Sequence, residues 1–152
     1  YDHSLHVPLV MSGPGIPQRV VTDSYAYLLD IYPTLCELVG LPAPATVEGH
    51  SLTPAFSGRT VRETLYFAYR GYQRAVQDER YKLIEYVVRG ARHTQLFDLQ
   101  QDPWELHNLA SDPTYRSKVE ELRASMLEWR QVLDDRQPGQ GADFWAGFGQ
   151  NE

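Results

Sequence analysis

Asp2, His3 and His6 fall within one five-residue stretch. An imidazole beside a carboxylate can relay a proton near neutral pH or ligate a metal. In a regular strand, Ser4 and His6 share one face and His3 and Leu5 the other, so the imidazoles do not converge. A single imidazole touching a substrate suits the segment better than a metal pair. Further along, Tyr69, Arg70, Tyr72, Arg74 and Arg80 mix guanidinium groups with phenol rings near the ends of expected strands. That mixture fits an anion or sugar site, and equally a charged sheet rim. His50, His93 and His107 stand apart from one another and read as surface or capping groups. The one cysteine, Cys36, lies among apolar neighbours, as a buried structural thiol does; alone, it excludes an internal disulfide and a cysteine-built metal site. A glycine-rich phosphate loop, a nucleophile elbow and a His-Glu-x-x-His pair are all missing.

The elements that must position these groups are readable from composition and period. The 152 residues are 42% hydrophobic and 22% charged, within the globular range. A net charge of −6 argues against a nucleic-acid surface, and no apolar run is long enough to span a membrane. The first residue is Tyr1, and an apolar run, His6–Met11, follows almost at once, which reads as a piece of a longer protein. That run, bounded by Gly13-Pro14-Gly15, predicts a strand buried on both faces, with Pro8 placing it at an edge or at its start. Ala26–Leu29 is a second short run. Asp30 then reads as a helix N-cap, Pro33 as a first-turn residue and Gly40 as the stop.

Residues 61–110 carry seven basic and seven acidic groups and read as an antiparallel meander. The expected strands are Thr64–Tyr69, Gln73–Gln77, Tyr81–Val88 and Gln95–Leu99. Asp112-Pro113 opens a helix on which Tyr115, Val119, Leu122, Met126, Trp129 and Leu133 form one apolar stripe. Its natural partner is the sheet before it. Residues 137–150 are glycine-rich, with Phe144, Trp145 and Phe148, and read either as a disordered tail or as aromatics docking on a partner surface.

Taken in order, several segments resemble the C-terminal part of the type I, formylglycine-dependent sulfatases of the alkaline phosphatase superfamily. Tyr1-Asp2-His3-Ser4-Leu5-His6-Val7-Pro8-Leu9, with Gly13-Pro14-Gly15-Ile16, is similar to one family segment. Asp30-Ile31-Tyr32-Pro33-Thr34-Leu35 and Glu48-Gly49-His50-Ser51-Leu52 are similar to two more. Arg74-Ala75-Val76, Tyr81-Lys82-Leu83-Ile84, Leu96-Phe97-Asp98-Leu99, Asp102-Pro103 with Glu105, and Asn108-Leu109 continue the series. The likeness runs over residues 1–134. His6 departs from it, standing where arginine is common.

The resemblance implies an α/β fold. A partial alkaline-phosphatase-like domain would occupy residues 1–59, a small four-stranded antiparallel sheet packed on a C-terminal helix residues 60–135, and a glycine-rich tail residues 136–152. It implies hydrolysis of a small-molecule or glycan sulfate ester by the intact enzyme. The nucleophile belongs to a Cys-x-Pro-Ser-Arg motif oxidised to formylglycine, and calcium is held by Asp and Asn side chains. Neither the motif nor the metal ligands are in this chain, so the fragment alone is expected to be inactive, with the remainder of the sulfatase chain as its partner. By the same resemblance His3 approaches the sulfate or the leaving-group sugar, Tyr72 and Arg74 help select substrate, and the location is periplasmic or secreted. Two other readings stand beside it: a non-catalytic carbohydrate-binding or accessory module, and a phosphatase or phosphonate-ester hydrolase of the same superfamily.

Overall fold

A computed structural model of the chain describes residues 1–139 and 141–149. The chain divides into two units, Tyr1–Glu63 and Thr64–Glu152, four residues past the boundary expected at 59/60.

In the first unit, α1 (Asp2–Leu5) is a single turn and α2 (Ile31–Leu38) follows a 3-10 turn over Leu28–Asp30. A second 3-10 turn spans Thr53–Ser57. Pro33 lies in the first turn of α2, where a missing amide costs nothing, and Gly40 ends the helix at φ 71°. The expected strand over His6–Met11 is not formed: the segment has no regular structure, and Val10 is 90% exposed. A strand exists by pairing, and the described residues 1–63 contain no strand to pair with it. The Ala26–Leu29 run likewise leads into the 3-10 turn.

Asp30 does not cap α2 with its side chain. Its carboxylate turns back to accept from the Tyr27 amide (2.7 Å), the His50 amide (2.8 Å) and both Nε and Nη2 of Arg62. One helical turn on, Thr34 Oγ1 donates to the Asp30 carbonyl and accepts from the Leu52 amide. These bonds staple residues 50–52 to α2. Gly49 is required at the staple, because a Cβ there would collide with the Leu29 carbonyl.

The second unit is built on one antiparallel sheet, β1 (Leu65–Tyr69), β2 (Gln73–Gln77), β3 (Tyr81–Val88) and β4 (Ala91–Asp98), in that order. The register lines up Tyr66, Val76, Leu83 and Leu96 as one cross-strand row. The next row, Phe67, Ala75 and Ile84, faces the other way, as a period of two demands. The first row packs with Val119, Leu122 and Met126 of α3 (Arg116–Val132). Asp112 accepts from the Thr114 amide ahead of α3, but the first turn, Pro113–Tyr115, is 3-10. Leu133, expected on the stripe, is 47% exposed beyond the helix.

β4 begins four residues before the expected Gln95. Arg89 and Gly90, at φ 52° and 78°, make a two-residue turn whose positive φ values match the twist of the hairpin, so pairing starts at Val88–Ala91. The tail expected over 136–152 also needs correction: Gly141–Phe148 form a further helix, α4. Its Phe144, Trp145 and Phe148 enter the α3-covered core, so the partner surface is this chain's own sheet. Gly147 lets the helix close on the sheet, since a Cβ there would meet Val87 Cγ1.

Candidate functional site

His3 sits in α1, exposed, with the Tyr1 ring stacked 5.8 Å from its own and nearly parallel. His6 ends that turn and is also exposed. Because residues 2–5 are helical, the strand argument about which faces carry the two imidazoles does not apply.

Tyr72 and Arg74 belong to the β1–β2 hairpin. Its turn, Arg70-Gly71-Tyr72, carries Arg70 at φ 50°, a left-handed conformation unusual for a side chain with a Cβ. Tyr69 and Tyr72 meet edge to face at 5.6 Å, and the Arg70 guanidinium lies over the Tyr69 ring at 5.5 Å. Tyr69 is about half exposed and Arg70 exposed, whereas Tyr72 is partly buried. The Tyr72 carbonyl accepts from the Val87 amide, which ties the turn to β3.

Arg74 faces inward and is 1% exposed. Its Nε and Nη2 donate to the two oxygens of Asp135, while Nη1 donates to the carbonyls of Arg70 and Gln73, each at 2.7 Å. The Phe144 ring covers its guanidinium. Asp135 also accepts from Tyr66 Oη and Trp145 Nε1. Burial by itself raises the Asp135 carboxyl. The hydrogen bonds from Arg74, Tyr66 and Trp145, with the Arg74 charge, outweigh it and hold the group below the ordinary carboxylate value. Burial, reinforced by the Asp135 carboxylate, pushes the Tyr66 phenol upward. A shallow cavity opens beside this cluster, lined by Tyr66, Ala68, Leu133, Asp134, Asp135 and Gln137.

The sequence reading did not find Asp135 or Glu85. Glu85 is fully buried under α3, bonded by Arg92, Arg123 and Thr94. Only its place in the alternation of β3 marks it as inward-facing. Arg80, grouped with the rim, pairs with Asp98. His50, His93 and His107 are exposed and scattered, and Cys36 is buried in α2.

The described residues contain no group of three or more His, Cys, Asp or Glu side chains able to hold a metal ion. Cys36 is buried in α2, and the residues after it, Glu37-Leu38-Val39-Gly40, are not those of a Cys-x-Pro-Ser-Arg motif.

An antiparallel sheet covered on one face by α3 and α4 is the scaffold of this second unit. Residues 1–132 match the family model of the N-sulphoglucosamine sulphohydrolase C-terminal domain, and the chain belongs to that family. It is 32% identical over 148 residues to the Delta 4,5-hexuronate-2-O-sulfatase of Bacteroides thetaiotaomicron, covering 89% of this chain and 29% of that protein. To arylsulfatase K of Bos taurus it is 30% identical over 155 residues, covering 87% and 27% respectively. The chain thus spans less than a third of the length of these relatives. A structure solved in complex with its substrate D-glucosamine-2-N,6-O-disulfate superposes with a TM-score of 0.63 at 23% identity, over 72% of this chain and 25% of that one. At that identity the likeness concerns the fold.

Proposed function

We propose that this chain is the C-terminal portion of a formylglycine-dependent sulfatase whose full length hydrolyses the sulfate ester of a small molecule or glycan. The match of residues 1–132 to a sulphohydrolase C-terminal family carries the reading. Both relatives described above bear sulfatase names, and both are more than three times as long as the matched region. The formylglycine and calcium belong to that additional length. They supply the nucleophile and the charge that sulfate-ester cleavage needs, and none of the residues described here takes either part.

This portion contributes support and a recognition surface. In the first unit the Val10 and Val21 side chains are 90% and 93% exposed, apolar groups that the remainder of the sulfatase chain would cover. His3 supplies an exposed imidazole toward the sulfate or the leaving-group sugar. Tyr72 stands on the substrate side of the β1–β2 turn, and Arg74 acts from behind it.

The test is sulfate release from an aryl sulfate and from a sulfated disaccharide, with calcium present, by the full-length protein and by the 152-residue chain. Release by the full-length protein alone is expected. Release by the short chain overturns the reading, because the nucleophile would then lie within residues 1–152. In the full-length protein His3→Ala is expected to lower kcat/KM by about tenfold or more, the scale of a lost transition-state contact. A change within about twofold removes His3 from the substrate site.

A further inference from the structure

The β1–β2 turn brings three features together. Tyr69 offers a half-exposed ring, Tyr72 props it edge-on, and Arg70 projects an exposed guanidinium beside both. Among the described residues no carboxylate pairs with Arg70, whereas Arg74 on the next strand is held by Asp135. The backbone that aims Arg70 is left-handed, a conformation that costs on the order of 1 kcal/mol and persists only where neighbours enforce it. The enforcement is visible: Arg74 Nη1 holds the carbonyls of Arg70 and Gln73, and Asp135 holds the other side of the Arg74 guanidinium.

We propose that Tyr69, Arg70 and Tyr72 form a recognition platform for a sulfated sugar ring, and that Asp135 is a positioning residue that sets its shape through Arg74. The proposal rests on the sulfatase reading and extends it to a substrate contact and its control. A tyrosine face takes the C–H side of a pyranose, and a guanidinium fork matches two oxygens of a sulfate group. Asp135 lies beyond residue 132, where the family match ends. The shape of the platform is therefore set by the segment that carries α4, whose Trp145 also donates to Asp135.

The experiment uses the full-length protein and the kinetics of sulfate release from a sulfated disaccharide. Arg70→Gln is expected to raise KM about tenfold with kcat changed less than about twofold, the loss of one charge-assisted contact. Arg89→Gln removes the same charge from the exposed, left-handed β3–β4 turn and is expected to leave KM unchanged. Asp135→Asn is expected to raise KM as Arg70→Gln does and to speed hydrogen exchange at the Val87 amide, which is bonded to the Tyr72 carbonyl. If KM in Arg70→Gln stays within about twofold of the parent, the platform is overturned even where Asp135→Asn fails to fold. If Asp135→Asn folds with the parent's KM, its positioning role is overturned. If the parent releases no sulfate, the sulfatase reading fails first. The platform is then judged by calorimetric titration of the unhydrolysed disaccharide, and equal affinity in the parent and Arg70→Gln overturns it.

Discussion

Lys82 Nζ lies 2.9 Å from Glu105 Oε1, with the two side chains 0% and 1% exposed. The pair joins the second strand face to the loop after β4, and Glu105 takes a left-handed backbone at φ 54° to reach it. Charges this deeply buried have shed their water, and their ion pair offsets part of that cost. Lys82→Met alone removes the cation beside a buried carboxylate and is expected to cost about 3–5 kcal/mol in urea unfolding. Lys82→Met combined with Glu105→Gln is expected to recover part of that loss, because the buried negative charge goes with its cation. Equal destabilisation by the single and the double variant would show that packing, not charge, dominates here.

Asn108 closes the open edge of the sheet. Its Oδ1 accepts from the amides of Leu96 and Ala110, its Nδ2 donates to the Thr94 carbonyl, and the Leu109 amide donates to the Leu96 carbonyl. The side chain does the work of a fifth strand along β4, which would otherwise present free backbone groups. Asp102 prepares the approach by accepting from the Leu106 and His107 amides. Asn108→Ala is expected to cost about 1 kcal/mol, chiefly through the part-buried bond from the Leu96 amide, and to accelerate exchange of that amide selectively. Uniform acceleration over β3 and β4 would contradict an edge-local role.

The sheet was legible because alternation in β2 and β3 survives even where both faces are buried, so the strand limits there agree with the pattern. β4 was under-read because Arg92, His93 and Thr94 are polar. They form strand because Arg92 and Thr94 both bond Glu85 across the pair. α4 was missed because its glycines suggest flexibility in isolation. Gly147 instead answers a close approach to Val87, a tertiary fact invisible in the local string. The inward turn of Arg74 was hidden for a similar reason: its acceptor, Asp135, lies 61 residues away.

Acid should weaken both units through the same kind of group. Burial raises the Asp30 carboxyl. Hydrogen bonds from Arg62 and from the His50 and Tyr27 amides, with the Arg62 charge, more than offset this, and the net shift is downward. Asp135 is lowered in the same way. The Asp98 carboxyl is lowered chiefly by its hydrogen bonds to Arg80. A carboxyl held lower in the folded than in the unfolded chain stabilises the fold above the unfolded value, near 3.8, and loses that contribution as pH falls through the folded value. Stability is therefore expected to be level at neutral pH and to decline progressively below about pH 4. Asp30→Asn is expected to cost about 3 kcal/mol at pH 7, since Arg62 is left buried without its counter-charge, and to flatten the acid decline of the first unit. Thermal unfolding from pH 7 to pH 2.5 checks both; an unchanged acid slope in Asp30→Asn would assign the decline to other groups.

The contact between Gly147 and Val87 sets two helix effects against each other. Alanine in a helix interior is favoured over glycine by about 1 kcal/mol, so Gly147→Ala would stabilise an isolated α4. In the folded chain the new methyl enters the space of Val87 Cγ1, and Val87, only 8% exposed, has a stiff branched side chain with little room to turn. Overpacking of this kind costs about 1–3 kcal/mol, so the net effect is expected to be destabilising despite the helix preference. Val87→Ala removes the obstructing methyl groups and carries its own cavity cost. Together the two substitutions should cost less than the sum of their separate effects, a coupling of about 1 kcal/mol that a double-mutant cycle in urea measures. Strict additivity would mean that α4 moves away from the sheet to admit the methyl, and the Trp145 bond to Asp135 should then weaken as well.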